Sequence, residues 1–533
     1  MGETVDALVI GAGPNGLVAS AALADAGWDV LVLEAQDELG GAVRSAQLWP
    51  GATTDLFSAF YPLAAASPVI KRLELQQHGL EWVQAPTVVA HLGDAEADDC
   101  PVLHRRAEDT AAALDRAAPG DGEAWLALVA QWQQLRDPLL DALFTPFPPV
   151  RAGSRLAYRA GVHGTMQLAR MAATSALRLT EELFSGAGAR LLMAGNATHA
   201  DVPLDAPGSG LYGWLLAMLA QDVGFPVPRG GAGVLSQAIA ARARSAGAVI
   251  ETGQPVTEVI VRSGRAVGIR TAGGREIRVR RAVLADVDAP RLFNDLVGAA
   301  HLPARLRADL DRFQWDLPTV KLNWLVDGGI PWRAKAARSA GTVHLGTDLA
   351  GLSRWSSDLA SGRHPEQVFA LLGQMTTADP ARSAPGTESA WAYTHLPRDH
   401  HSRADADALA ARVEETVEAF APGFGDRVTH RMLQAPADLE AANANLHHGA
   451  INAGTAQLHQ QLVFRPATGL GRPETVIEGL FLAGASTHPG GGVHGACGWI
   501  AAQAAIGAAG RLGPVRRRTT RALMTKLYGP LIS

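Results

Sequence analysis

The amino-terminal segment carries the pattern that most restricts the fold. A short apolar run, Asp6–Ile10, is followed by GAGPNG at residues 11–16 and by the Ala- and Leu-rich run Leu17–Ala26. A second apolar run, Val30–Leu33, follows and ends at Glu34. This order of strand, glycine turn, helix, strand and carboxylate predicts a Rossmann-type dinucleotide-binding unit, and therefore an α/β fold.

The glycines and the carboxylate of this unit each have a physical task. Gly11 permits the tight turn, Gly13 lets the backbone approach a pyrophosphate, and Gly16 allows the helix to pack closely on the strand. The helix amino terminus offers free N–H groups to the phosphates. Glu34 can accept hydrogen bonds from a ribose diol and would repel a 2′-phosphate, which disfavours NADP. The alternative, a glycine turn in an unrelated α/β protein, stays open on this pattern alone.

Residues 37–44, DELGGAVR, favour FAD over NAD. The run Gly40-Gly41-x-x-Arg44 resembles the flavoprotein fingerprint of the amine oxidase and phytoene desaturase superfamily. The resemblance implies that the glycines lie beside the flavin diphosphate and ribityl chain, and that Arg44 supports that region. A solvated surface charge is the alternative role for Arg44.

A second glycine-rich unit lies near the carboxyl terminus. The apolar run Leu480–Ala483 predicts a strand that leads into a glycine-rich turn, and Ala496–Ala509 predicts a helix. Helix N–H groups aimed at the flavin N1 and C2 carbonyl would stabilise the negative charge that develops on reduction. A single nucleotide-binding unit would not need this second loop.

The carboxy-terminal run GLFLAGASTHPGGGVHGACG (479–498) makes the resemblance more specific. It resembles the signature of the bacterial-type phytoene desaturase and carotene ketolase family, in the branch of pyridine nucleotide-disulfide oxidoreductase domain-containing protein two. Three other runs are similar to that family: PVPRGGAGVLSQAIA (226–240), RRAVLAD (280–286) and PTVKLNWLVDG (318–328). A further run, Asn443–Gly449, departs from the family pattern. Asn443 and Ala444 replace two glycines that this branch often carries ahead of a His-Gly pair.

The motifs and the resemblance together imply a set of site residues. The cofactor-binding residues expected for FAD are Gly11, Gly13, Pro14, Asn15, Gly16, Glu34, Ala35, Gly40, Gly41, Ala42, Arg44, Val256, Gly484, Ala485, Gly492 and Val493. The candidate catalytic residues are Lys321, His488 and His494. The alternative for Lys321 is a surface salt bridge. For His488, His494 and the family-matched His448 the alternative is a hydrogen bond that stabilises a loop, and for Cys497 it is buried packing.

The fold expected from the resemblance is a Rossmann-type FAD-binding domain interleaved with a mixed α+β substrate domain, as in amine oxidases and phytoene desaturases. The FAD-binding segments are expected at 1–91, 226–298 and 470–512. The substrate domain is expected at 92–225, mainly helical with proline breaks at Pro138 and 146–149, and at 299–469. Strands are predicted within the latter at Val320–Val326 and Val368–Met375.

The resemblance implies an FAD-dependent oxidoreductase that transfers a hydride between a hydrophobic substrate, such as an isoprenoid or carotenoid, and flavin N5. A flavin-dependent amine or amino acid oxidase is the first alternative. An FAD-bound interaction protein without turnover is the second. The motifs leave open the direction of the reaction, the electron acceptor and the oligomeric state.

Composition and charge exclude several other classes. A net charge of −5 gives no reason to expect nucleic-acid binding. The two cysteines, Cys100 and Cys497, are too far apart for the redox pair of a flavin disulfide reductase, and their scarcity fits a reducing cytoplasm. The sequence shows neither a secretory signal nor an apolar run of membrane-spanning length.

Two further features concern metals and membranes. No metal site is expected, because adjacent histidines (His400-His401 and His447-His448) do not easily direct both rings at one ion. The segment 513–533 combines five basic side chains with Leu523, Met524 and other apolar residues. Such a basic amphipathic tail could contact an anionic membrane surface, and a partly ordered charged tail is the alternative.

Overall fold

Two mixed β-sheets form the framework of the protein. The computed structural model describes residues 3–532. The first sheet has seven strands, in the order Val256–Arg262, Arg265–Thr271, Glu276–Ala285, Thr4–Ile10, Val30–Leu33 and Val249–Glu251, with Leu480–Leu482 beside Glu276–Ala285. The second sheet also has seven, in the order Val428–Gln434, Thr319–Asp327, Thr387–His395, Ala370–Gln374, Ala340–Leu345, Thr87–Leu92 and Val102–His104.

The first sheet joins chain segments that are far apart in sequence. Thr4–Ile10 pairs in parallel with Val30–Leu33 on one side and with Glu276–Ala285 on the other. The carboxy-terminal strand Leu480–Leu482 then pairs in parallel with Glu276–Ala285. The parts of these strands that pair in the centre of the sheet, Ala7–Ile10, Val30–Leu33, Ala282–Ala285 and Leu480–Leu482, are buried and apolar, as central parallel strands must be. The predicted Rossmann-type domain is confirmed.

Two short antiparallel pairs complete the β-structure, Ser45–Trp49 with Ala52–Asp55 and Trp82–Val83 with Val227–Pro228. The α-helices are Pro14–Asp25, Pro62–Ala66, Pro68–Arg72, Ala107–Ala117, Asp121–Leu143, Val150–Ala173, Ala176–Leu183, Ala187–Ala197, Ser209–Asp222, Ala232–Ser245, Ala289–Arg291, Ala304–Leu310, Leu349–Ala360, Met375–Ala378, Arg403–Phe420, Phe424–Arg427, Pro436–Ala442, Ala496–Ala509 and Gly513–Tyr528. Residues Leu292–Val297 form a π-helical turn.

Two sequence-based boundaries differ from the structure. The strand Thr87–Leu92 belongs to the second sheet, so the boundary predicted at residue 91 falls inside that strand. Pro138 does not break the chain, because it lies within the continuous helix Asp121–Leu143. That helix is held by indole hydrogen bonds from Trp125 to Gln221 and from Trp132 to Asp222. These tertiary contacts compensate for the hydrogen bond that a proline removes.

The predicted amphipathic tail forms the helix Gly513–Tyr528, in which Gly513, Met524 and Tyr528 are buried. Met524 and Tyr528 are buried against the first sheet's core, and the Tyr528 hydroxyl donates to the Thr468 carbonyl at 2.6 Å. Leu523 and Ile532 remain exposed. Part of the tail's apolar side therefore covers the protein itself, and part is exposed. In residues 3–532 we find no helix that is both long and apolar enough to cross a membrane.

A buried ion group joins the FAD-binding domain to the substrate domain. The Arg382 guanidinium lies 2.9 Å from an Asp55 carboxylate oxygen and 3.1 Å from one of Asp379, and all three side chains are fully buried. Asp55 also accepts the Ala232 N–H at 2.7 Å, and Asp379 accepts the Gly230 N–H at 2.6 Å. One substrate-domain arginine thus anchors two segments of the FAD-binding domain.

We expect Arg382→Met to lower the free energy of unfolding by about 3–5 kcal/mol, because it leaves two carboxylates buried without their counter-ion. Urea denaturation of the FAD-loaded protein measures this change. Arg363→Met is the control, since Arg363 forms its ion pair with Asp358 at the surface and should contribute little. Equal losses in the two variants would contradict the special role of the buried group.

Candidate flavin site

The first glycine loop has the close backbone contacts that a phosphate cradle requires. Gly11 has a φ of +93°, and a Cβ added there would lie 2.8 Å from the Asp286 carbonyl oxygen. A Cβ on Gly16 would lie 2.2 Å from the Gly11 carbonyl oxygen. Gly13 precedes the helix that begins at Pro14, so the amino-terminal end of that helix and its positive dipole face the loop. The loop fits a dinucleotide diphosphate.

Asp286 supports this loop and was not among the predicted site residues. It follows the strand Glu276–Ala285, and its carboxylate accepts the Gly16 N–H at 2.8 Å. Burial raises the pKa of Asp286 to about 7, with the nearby Glu34 carboxylate adding to the effect. The sequence did offer a signal for Asp286: it is the carboxylate that ends the strand-like run RRAVLAD (280–286), which resembles the family.

Glu34 is placed where a ribose would bind. Its carboxylate accepts the Ala12 N–H at 2.7 Å and the Gln36 N–H at 3.0 Å, which orients it beside the glycine loop. The Gln254 N–H donates to the Glu34 carbonyl at 2.8 Å and brings the predicted contact Val256 to the same edge. Both carboxylate oxygens keep lone pairs available to a diol.

The Gly-Gly-x-x-Arg run packs directly on the first loop. Gly40 and Gly41 have φ values of +116° and +54°, and a Cβ on Gly41 would lie 3.1 Å from the Gly13 Cα. Arg44 donates to the Gly41 carbonyl at 3.1 Å and to the Ala442 carbonyl at 2.8 Å. Arg44 is therefore a half-buried support of this loop, and the surface-charge alternative does not describe it.

The carboxy-terminal loop meets the first loop from the opposite side. Gly484 follows the strand Leu480–Leu482, and Gly492 and Val493 have φ values of +123° and +54°. The helix Ala496–Ala509 packs on Pro14–Asp25 so closely that a Cβ on Gly498 would lie 1.8 Å from the Asn15 carbonyl oxygen. The structure thus brings together the two halves of the predicted cofactor site.

Buried Arg465, absent from the predicted set, holds the second loop. It donates to the Ala485 carbonyl at 2.8 Å, to the Thr455 carbonyl at 2.8 Å and to the Asn452 carbonyl at 3.0 Å. Asn445 likewise bridges segments, because it donates to the Asp286 carbonyl at 3.2 Å and accepts the Asp288 N–H at 3.1 Å. No sequence pattern indicates either role, since the partners lie on other loops.

The two loop histidines make contacts that stabilise the loop. His494 accepts the Ala496 N–H at Nδ1, which places its proton on Nε2 for donation to the Gly490 carbonyl. His488 Nε2 lies 3.2 Å from the Thr145 carbonyl oxygen. Burial lowers the pKa of each ring to about 4, so both are neutral at pH 7. Burial also raises the pKa of the Cys497 thiol to about 12, which keeps it protonated.

Lys321 is buried on Thr319–Asp327, the strand next to the edge of the second sheet, and is not in a surface salt bridge. Its ammonium donates to the Asp55 carbonyl and, at 2.8 Å, to the Asn323 amide oxygen. The Trp391 ring centroid lies 5.8 Å from Nζ. Burial lowers the pKa of Lys321 to about 7, although the Asp55 carboxylate opposes that shift. A lysine with this pKa exchanges a proton near neutral pH.

Lys321 heads a row of side chains that cross the second sheet on one face. Strand register places Lys321 beside Tyr393, Tyr393 beside Leu371, and Leu371 beside His344. Because alternate residues of a strand share a face, Trp391 and Asn323 lie on this side too. Trp391 contacts Phe60 of the first FAD-binding segment, and the two ring centroids are 5.9 Å apart. The Lys321 end of this face therefore meets the FAD-binding domain, whereas its His344 end packs on the helix Ala187–Ala197.

Two groups of side chains bring possible metal-ligating atoms together, each with at least one member of an adjacent-histidine pair taking part. Within residues 3–532, ligand atoms of Glu440, His447 and His448 lie within 4.8 Å of one another, and so do those of His364, His400 and Asp405. His448 has a φ of +48°, and this left-handed backbone turns its ring beside that of His447. The second group forms because His364 comes from a different segment. Both groups are at the surface.

The comparisons with known proteins agree with this geometry. The family described as flavin containing amine oxidoreductase matches residues 15–506. The chain belongs to this family. Its cofactor is FAD, and the loops described above would hold it. The structure resembles that of a putrescine oxidase, with a TM-score of 0.60, 15% identity, and coverage of 95% of this chain and 99% of that one.

Two curated relatives cover nearly the whole chain. Mouse (Mus musculus) pyridine nucleotide-disulfide oxidoreductase domain-containing protein 2 is 29% identical, over 93% of this chain and 92% of its own. The zeta-carotene-forming phytoene desaturase of Myxococcus xanthus is 25% identical, over 91% of this chain and 90% of its own. The resemblance inferred from the sequence motifs is confirmed.

We expect Glu34→Gln to weaken FAD binding about 10- to 100-fold, because a charged hydrogen-bond acceptor toward the ribose contributes roughly 1.5–3 kcal/mol. Titration of apoprotein with FAD, followed by flavin fluorescence, gives the dissociation constants. Glu38→Gln is the matched control, since Glu38 is exposed in the same segment. Identical affinities for Glu34→Gln and wild type would refute the assignment.

Proposed function

We propose that this protein is an FAD-dependent dehydrogenase that desaturates a C–C bond of a lipophilic, isoprenoid-type substrate. The observation that carries the proposal is the Lys321 face of the second sheet. It presents Trp391 and Tyr393 toward the FAD-binding domain, and burial drives its titratable groups toward their neutral forms. Such a surface suits an apolar substrate better than a cationic one.

The proposed chemistry needs only one protein group that moves a proton. FAD, when bound, accepts a hydride at N5 of its ring. Formation of a C=C bond then requires loss of a proton from the adjacent carbon. Neutral Lys321 donates its two N–H groups to the Asp55 carbonyl and the Asn323 amide oxygen. The lone pair of its nitrogen can therefore accept that proton. Asn323 is itself held by Gln434 at 2.9 Å, which fixes the direction of the amine.

An amine oxidase is the second candidate, supported by the family and by the likeness to putrescine oxidase. One contact argues against it. Amine recognition between two aromatic rings needs a gap of about 7 Å, twice the thickness of a ring. Trp391 and Tyr393 are stacked with ring centroids 5.9 Å apart and planes 22° apart, which leaves no such gap. An amine would therefore have to bind elsewhere on this face.

The deciding experiment is anaerobic mixing of the FAD-loaded protein with phytoene in detergent micelles, in parallel with putrescine. We expect the visible flavin absorbance to bleach with phytoene and to persist with putrescine. Bleaching only with putrescine would establish the amine oxidase instead. Bound FAD that neither this donor pair nor other lipophilic isoprenoids or amines can reduce would favour the non-catalytic alternative.

The role of Lys321 predicts a pH dependence. Since the proton acceptor is the neutral amine, the rate of flavin reduction should fall as the pH drops through about 7. Lys321→Met should lose about 100-fold or more in this rate and lose the pH step as well. Lys335→Met is the control because Lys335 is exposed. Unchanged reduction kinetics in Lys321→Met would rule out the role.

A further inference from the structure

Exposed apolar side chains are concentrated in three segments. Within residues 3–532, fourteen large apolar side chains are exposed, and twelve of them lie in the helix Val150–Ala173, in residues 458–464 or in residues 512–532. Each segment contributes four. On a soluble surface such side chains are normally scattered singly, and a concentration of them indicates a binding surface.

The helix Val150–Ala173 shows the strongest anomaly. Its 24 residues form two helical parts joined by a kink at Gly161, where φ is +67°, yet only Ala152 and Met171 are buried. Tyr158 is 90% exposed and Val162 is 86% exposed. A helix usually gains its stability by burying one face. This helix has no acidic residue but has four arginines. Its composition and exposure are those of a helix that lies in a membrane interface.

Residues 458–464 adjoin the carboxy-terminal helix, and the chain that leads into Val150–Ala173 reaches a cleft that this helix lines. Pro146, just before Val150–Ala173, lines the same cleft as the carboxy-terminal helix Gly513–Tyr528. Gly469 connects residues 458–464 to the helix Gly513–Tyr528. Its N–H donates to the Val463 carbonyl, and a Cβ added to it would lie 2.6 Å from the Leu527 side chain. We call this surface, made of Val150–Ala173, 458–464 and 512–532, the basic apolar face.

Positive charge on the basic apolar face contrasts with the net charge of −5 of the whole chain. The helix Gly513–Tyr528 carries four arginines and one lysine and no acidic residue. Between it and the first sheet lies a cleft of about 1110 Å³, lined by seven arginines and two glutamates. Arg516 and Arg521 line this cleft, and no carboxylate in the described part of the chain pairs with either.

We propose that the basic apolar face docks on an anionic lipid bilayer. The exposed apolar side chains enter the interface, and the arginines bind the phosphates of the head groups. The face lies next to the flavin site: Phe144 and Phe147, in the segment leading to the helix Val150–Ala173, contact the loop residues His494 and His488. Docking therefore places the cofactor site beside the membrane. This inference is independent of the proposed reaction, because lipid binding needs no turnover.

Co-sedimentation with vesicles tests the proposal on the FAD-loaded full chain. We expect the protein to sediment with vesicles of equimolar phosphatidylglycerol and phosphatidylcholine, and far less with phosphatidylcholine alone. Binding should fall as salt concentration rises, because the arginine contacts are screened. Equal binding to both vesicle types, or none to either, would overturn the proposal.

Two variants separate the apolar and the charged contributions. Tyr158→Glu/Val162→Glu should weaken vesicle binding on the order of tenfold or more, because two apolar contacts are replaced by charges that the lipid repels. Arg516→Gln/Arg521→Gln should reduce the salt dependence. Val249→Glu is the matched control, since Val249 is 53% exposed on the first sheet, outside the face.

Bound FAD and the midpoint of thermal unfolding must be unchanged in these variants, which shows that they fold. Val249→Glu should bind vesicles as the wild type does. Wild-type binding by Tyr158→Glu/Val162→Glu would contradict the proposal. Analytical ultracentrifugation adds a separate test: a dimer that becomes a monomer in this variant would identify a second copy of the chain as the true occupant of the face.

Discussion

The geometry of the site depends on Asp55, which lies where the short hairpin strand Ala52–Asp55 meets the second sheet. Its carboxylate pairs with buried Arg382 and accepts the Ala232 N–H, while its backbone carbonyl accepts the Lys321 ammonium. A buried carboxylate is stable only when such partners surround it. The same residue therefore ties the FAD-binding domain to the substrate domain and sets the position of the amine that we propose as the proton acceptor.

Burial has a common electrostatic effect throughout this site. It lowers the pKa of Lys321 to about 7 and those of His488 and His494 to about 4, and it raises that of Asp286 to about 7. Each group is moved toward its neutral form because the charged form loses its hydration. A site whose side chains are mostly neutral is compatible with an apolar substrate, and it leaves the cofactor as the principal redox group.

The two surfaces of the substrate domain complement each other. The inward face of the second sheet carries neutral and aromatic side chains, whereas the helix Val150–Ala173 exposes basic and apolar ones. The segment that leads to this helix contacts the flavin loop through Phe144 and Phe147. A lipophilic substrate held in a bilayer would thus meet the protein close to its cofactor, so the proposed reaction and the proposed docking support one another while resting on different observations.

Much of the FAD-binding domain could be predicted from the sequence, because its signals are local. Strand, turn and helix periodicities around the two glycine loops identified the helix Ala496–Ala509 and the strand Val30–Leu33 with the bounds that the structure shows. Only the tertiary structure determined the contacts between residues that are far apart in the sequence. Asp286 reaches Gly16 across 270 positions, and His364 joins His400 only through folding. Sheet register and packing determine such pairs, and neither produces a periodic pattern in the sequence that could be used to predict them.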